Sequence, residues 1–133
     1  MLPELNVEAS RIPLDLERNG FTARRAKGIG VFFAVEDLHR KQATRLSDLM
    51  RDIAGVREVC GGGRCQIRMT RNRDCQPNFF LDGLPANNST PTDLSLAGVI
   101  GIEIYRTESE TPTQFLRGLN SCGVIVIWTV RGK

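Results

Sequence analysis

The sequence has a single histidine, a single tyrosine and a single tryptophan among 133 residues, and several catalytic signatures are missing from it. It contains no G-x-S-x-G, no H-E-x-x-H and no C-x-x-C, so a nucleophile elbow, a zinc-protease helix and a thioredoxin-type redox pair have no sequence support. Lys27-Gly28-Ile29-Gly30 and Gly61-Gly62-Gly63 lack the Lys-Ser/Thr pair of a phosphate loop. His39 lies among Leu38, Arg40 and Lys41 in a polar stretch, which suits a solvated surface position. No catalytic residue, metal ligand or cofactor is expected. No apolar run exceeds the five residues of Val124–Trp128, far short of the roughly 20 that cross a bilayer as a helix. Met1–Ser10 shows no charged-then-apolar leader. The expectation is that Met1 opens a piece cut from a longer, exported precursor, a cytosolic chain being the alternative. Internal repeats and low-complexity stretches are absent too.

The composition is that of an ordinary globular chain, 41% apolar and 25% charged. At 133 residues it reads as one domain with a modest core. Residues 1–30 are expected to be an extended, irregular N-terminal segment and residues 31–133 the compact core. Leu5-Asn6-Val7-Glu8-Ala9 alternates weakly, as a short edge strand would. Arg11–Gly30 reads as a surface connector carrying a solvated Arg24, Arg25 and Lys27. Val35–Arg40 suits one or two helical turns. Leu46, Leu49, Met50 and Ile53 recur at i, i+3, i+4 and i+7 and predict a helix from about Thr44 to Ile53. Val56–Val59 and Gln66–Thr70 flank a glycine-rich tip, the pattern of a hairpin. Phe79–Leu81 is a strand ending in Asp82-Gly83, a turn rather than a metal ligand. Ile102–Arg106 alternates faces, and Gly123–Thr129 reads as a strand buried on both sides. Thr90-Pro91-Thr92-Asp93 and Thr111-Pro112-Thr113-Gln114 each open a short helix. The sum is α+β: a small mixed four-stranded sheet with short helices packed on it. Cys60, Cys65, Cys75 and Cys122 allow three disulfide pairings, and a zinc site or buried free thiols are the rival readings.

The ordered trio FFLDG, GIEIYR and CGVIVIWT resembles the plug domain of TonB-dependent outer-membrane receptors, which carry a strand ending in DG, an IEVLRG-like strand and a GGVINI-like strand. Leu2–Ala9 is similar to the LPEVVVTA opening of many plugs, Leu46–Val56 to their helix ending in PGV with Ala54 for the proline, and Gln66–Met69 to their "IRG" segment. The departures are Arg106-Thr107-Glu108 where plugs carry Gly-Pro, and Cys122-Gly123 for Gly-Gly. A receptor barrel would need several hundred residues more than these. The variant with a cysteine before each of the last two apolar strands resembles stand-alone plug-like modules, which often follow a carboxypeptidase-regulatory-like β-sandwich.

The resemblance implies a non-enzymatic binding module of a bacterial outer-membrane or envelope receptor or transport system. Its partner would be TonB or a barrel or sandwich domain of the parent protein, and its compartment the periplasm or outer membrane. It also implies that the strands after Cys75 and Cys122 are neighbours of the same sense, so that these two cysteines pair and leave Cys60 to Cys65. Closing a loop of that length stabilises a fold by roughly 3–4 kcal/mol in the chain-entropy model. Leu5–Ala9 would be the TonB-box-like strand, adding to a partner's sheet edge, and Asp82-Gly83 the family's turn. Two alternatives stand beside this reading: a structural or interaction domain of an envelope complex without gating, and a small cytosolic nucleic-acid-binding protein using Arg24, Arg25, Lys27, Arg71 and Arg73.

Nucleic acid is expected to bind poorly, because the net charge is only +3 and no stacking aromatics interleave the basic residues. Fluorescence anisotropy with a labelled oligonucleotide at physiological salt checks this, and submicromolar affinity would promote the cytosolic alternative.

Overall fold

The computed structural model describes residues 7–71, 74–86, 94–116 and 122–130. Two helices come first, α1 (Val7–Arg18) and α2 (Phe21–Lys27), then strand β1 (Val31–Ala34) and helices α3 (Val35–Lys41) and α4 (Leu46–Met50). Strands β2 (Val56–Gly61), β3 (Arg64–Met69), β4 (Asn78–Leu81), β5 (Leu84–Ala86), β6 (Val99–Tyr105) and β7 (Val124–Thr129) complete the regular elements, with two 3-10 turns, Glu108–Glu110 and Thr113–Phe115, between β6 and β7.

The sheet follows from its two inner strands. In β7 every residue from Val124 to Trp128 is buried, and in β6 all seven are, so apolar matter has to cover both faces. The strand order is β1-β6-β7-β4-β5, with β4 and β7 parallel and the other pairs antiparallel. One face packs Phe33, Leu49, Met69, Phe79, Ile102 and Ile125 with α3, α4 and the β2–β3 hairpin. The other packs Leu16, Phe21, Phe80, Phe115, Val126 and Trp128 with α1 and α2. The α+β class stands. The sheet has five strands instead of four, because β1 and the Pro85-containing β5 join as its edges, while the β2–β3 hairpin forms a two-stranded sheet of its own.

The N-terminal segment is the main correction. Residues 7–18 and 21–27 are helical, not extended or irregular, and Val7, Glu8 and Ala9 lie in the first turn of α1, not in a strand. Leu5 and Asn6 fall outside the described residues. Pro13 sits inside α1, where a proline costs on the order of 3 kcal/mol of helix stability, and it masks the helical period. Burial decides the outcome: Leu16 and Phe21 are 5% and 0% exposed against the sheet, and helices in proteins owe most of their stability to such packing. The turn between the helices is closed by the Asn19 side chain, which accepts the Phe21 N–H at 2.9 Å.

Helix α4 is shorter than the predicted span, yet its stripe is intact, with Leu46, Leu49, Met50 and Ile53 all buried in one cluster. The Asp48 carboxylate accepts the backbone N–H groups of Thr44 and Arg45, both at 3.0 Å, so those bonds and not a threonine cap secure its start, and they hold the Asp48 carboxyl below its ordinary range. Thr90–Asp93 lies outside the described residues, and the second Thr-Pro device opens the 3-10 turn Thr113–Phe115. With Leu49 only 1% exposed, Leu49→Ala is expected to cost about 2–5 kcal/mol. Chemical denaturation reads the loss directly, and a change below about half a kcal/mol would place the stripe in solvent.

Candidate functional site

The polar centre of the molecule is Glu103. Alternation along β6 turns Ile102 and Ile104 to the α4 face and leaves Glu103 and Tyr105 to the α1–α2 face, where Glu103 is fully buried. A carboxylate in such a place needs a cation and a full set of donors. Arg24 of α2 provides the cation, its Nε donating to Oε1 and its Nη2 to Oε2, each at 2.7 Å. The Tyr105 hydroxyl donates to Oε1 and the Trp128 indole N–H to Oε2 at 2.6 Å. The guanidinium also donates to the Asn19 carbonyl at 3.1 Å and lies 5.0 Å from the centroid of the Phe115 ring. Burial alone would lower the pKa of Arg24, but its bonds to Glu103 outweigh that and the net direction is upward. Burial first, and the Glu103 bond second, push the Tyr105 phenol far above its ordinary range.

The close approach of α1 and α2 to this centre rests on Gly101. A β-carbon there would stand 3.0 Å from Leu16 and 3.2 Å from the Phe21 ring, so both side chains would have to shift by a few tenths of an ångström in a close-packed interior. The carboxylate receives four donors, so the arrangement binds and orients its own neighbours and leaves no oxygen for proton transfer.

Of the sequence-predicted residues, Asp82 and Gly83 form the two-residue loop of the β4–β5 hairpin with φ of 53° and 88°, the conformation that Asp-Gly favours between antiparallel strands. The Asp82 carboxylate accepts the Thr129 N–H at 2.8 Å and its hydroxyl at 2.6 Å, so it locks the end of β7. Disulfides join Cys60 to Cys65, directly opposite in the β2–β3 ladder with Cα atoms 3.9 Å apart, and Cys75 to Cys122, whose Cα atoms are 6.0 Å apart. The Arg24-Arg25-Lys27 cluster is not a solvated basic face as a whole, because Arg24 points inward to Glu103. Arg71 lies 3.7 Å from Glu110, and Arg73 falls outside the described residues. His39 is exposed, on the wall of a largely apolar groove of about 400 Å³ between Ile12, Leu38, Leu96 and Val130. The sequence reading missed the Glu103 centre. Its one signal is a glutamate in a strand whose neighbours are buried on both faces, together with an arginine in a segment that was not expected to fold.

No protein-family model and no curated protein matches the chain. Solved structures do. The chain is similar to the ferric yersiniabactin uptake receptor FyuA of Yersinia pestis, at 20% identity and a TM-score of 0.60 over 77% of this chain and 17% of that one. It is also similar to the ferripyoverdine receptor of the outer membrane of Pseudomonas aeruginosa, at 16% identity and 0.59 over 77% and 14%, and to the alcaligin outer-membrane receptor FauA of Bordetella pertussis, at 16% and 0.54 over 77% and 18%. The chain spans less than a fifth of each receptor's length. What the likeness shows is the fold, plug-domain-like α+β.

Tyr105 is the only tyrosine, so the rise in its pKa can be read spectroscopically. A phenol whose folded pKa is raised adds stability that is complete below the unfolded value near 10 and is lost as pH rises through the folded value. Tyrosinate absorbance at 295 nm is therefore expected to appear only together with unfolding reported by Trp128 fluorescence. Ionisation near pH 10 with the native emission retained would contradict the buried Glu103 bond. Glu103→Ala is expected to destabilise the fold by about 3–5 kcal/mol, since it leaves the largely enclosed Arg24 without its carboxylate and the Tyr105 and Trp128 donors without their acceptor, and thermal denaturation measures this.

Proposed function

We propose that this chain is a non-enzymatic, plug-like binding module of a bacterial outer-membrane or envelope receptor or transport system, acting in the periplasm or at the outer membrane. The observation that carries the reading is the likeness to outer-membrane siderophore receptors, which extends over 77% of this chain at a TM-score of 0.60. The ordered sequence trio supports it independently, since its three segments are β6, β7 and β4, consecutive strands at the heart of the sheet with β7 between the other two. The partner is an envelope protein, either TonB or a barrel or sandwich domain of the parent protein. Strand addition by Val7–Ala9 is not part of the reading, because those residues are helical.

The two disulfides favour an oxidising compartment. The nucleic-acid alternative loses Arg24, and Arg71 is engaged with Glu110. The test is fractionation of bacteria that carry the parent gene with a tag on this module, followed by thiol labelling and cross-linking. Recovery with the envelope, oxidised cysteines and cross-links to an envelope protein are expected. Recovery from the cytosol with four free thiols would overturn the proposal.

A further inference from the structure

The two disulfides differ in exposure and in the length of chain they close. Cys122 is 5% exposed within the core cluster, and Cys75 packs against that cluster. Their bond closes a separation of 47 residues and joins the leading ends of β4 and β7, where the Asn78 N–H donates to the Gly123 carbonyl at 3.0 Å. Cys60, by contrast, is exposed, as are all four residues of the Gly61–Arg64 tip. A β-carbon placed on Gly61, Gly62 or Gly63 would meet nothing within 4 Å. The Cys60–Cys65 bond spans a separation of only five residues, so it removes little entropy from the unfolded chain. The ladder from Val56↔Met69 to Gly61↔Arg64 aligns the hairpin on both sides of it, and the hairpin's base is held by Val56, Ile67 and Met69 in the core.

We infer that Cys60–Cys65 is a reversible thiol-exchange site, open to small dithiols and to the dithiol sites of thiol–disulfide oxidoreductases, while Cys75–Cys122 is a permanent structural bond. The thiolate of the dithiol attacks Sγ of Cys60, the more exposed residue of the pair. A mixed disulfide forms on Cys60 and the Cys60–Cys65 bond breaks. Cys65 leaves as a thiolate and takes up a proton from water. The second thiol of the reagent then displaces Cys60, also released as a thiol. The pair is thereby reduced by two electrons, and the reagent is oxidised to its own disulfide. This inference stands on the hairpin alone and is independent of the proposed receptor role.

The test uses the folded, fully oxidised chain in graded dithiothreitol at neutral pH, quenched with an alkylating agent and read by peptide mass spectrometry. Cys60 and Cys65 are expected to be alkylated at rates at least roughly tenfold above Cys75 and Cys122, and in denaturant the difference should collapse. Simultaneous labelling of all four in the folded protein, or earlier labelling of Cys75 and Cys122, would overturn the assignment. The double variant Cys60→Ser/Cys65→Ser should fold with the Cys75–Cys122 bond intact. Failure of that variant to fold would show the hairpin bond to be structural and would equally overturn the inference.

Discussion

The structure depends on a carboxylate that has no access to water. Glu103 lies on a central strand under two helices, and an ionised group there is tolerated only if its charge and its lone pairs are met by fixed partners. The two nearest in sequence lie on the sheet itself, Tyr105 on the same strand and Trp128 on the next. The third, Arg24, comes from another layer and carries α2 with it. Such a pair adds little to net stability, because desolvation offsets most of its attraction, but losing one partner is costly. Its effect is to make one placement of α2 on the sheet far better than its neighbours. Arg24 cannot slide by a turn without stranding the carboxylate.

The opposite face is held by different means. Leu46, Leu49, Met50 and Ile53 pack on Ile102, Ile104 and Ile125 with no buried ion pair among the described residues, a contact that is strong but not directional. Direction comes instead from the Cys75 region. The Met69 N–H donates to the Cys75 carbonyl at 2.8 Å and the Cys75 N–H returns a bond to Met69 at 3.0 Å, so the end of the hairpin is stitched to the residue that is bonded to Cys122. The sheet is thus indexed by hydrogen bonds and charge on one side and by a covalent bond on the other.

This division explains what was legible in the sequence. Features that rest on a local period could be read: the stripe of α4, the β2–β3 hairpin, the Asp82-Gly83 turn, and β7 as a strand buried on both sides. Features that rest on long-range partners could not. Glu103 in an alternating strand looks like a water-facing residue until Arg24, 79 positions away, is known to reach it. That partner was hidden because Pro13, Gly20 and the arginine cluster give residues 7–27 the look of a connector. Strand β1 was missed for a related reason, since four residues running straight into α3 offer no alternation. Nor does any local feature of the hairpin tell that it stands apart from the main sheet, because the partners on offer to its edges are set by the whole fold.

The same division bears on how such a domain could serve as a binding module. Among the described residues no buried side-chain polar atom lacks a partner, so the interior offers little unsatisfied chemistry for a ligand to complete. Recognition on the proposed reading therefore belongs to what the rigid sheet displays. Leu81 and Leu84 are 46% and 70% exposed on either side of the Asp82-Gly83 turn, and that turn is clamped to β7 through Thr129. The β2–β3 hairpin projects from the other layer with Arg57, Val59 and Arg64 in solvent. Both are short hairpins, one locked at its turn by Asp82 and the other closed below its tip by the Cys60–Cys65 bond, and a partner that met either would find its backbone already ordered, which lowers the entropy lost on association.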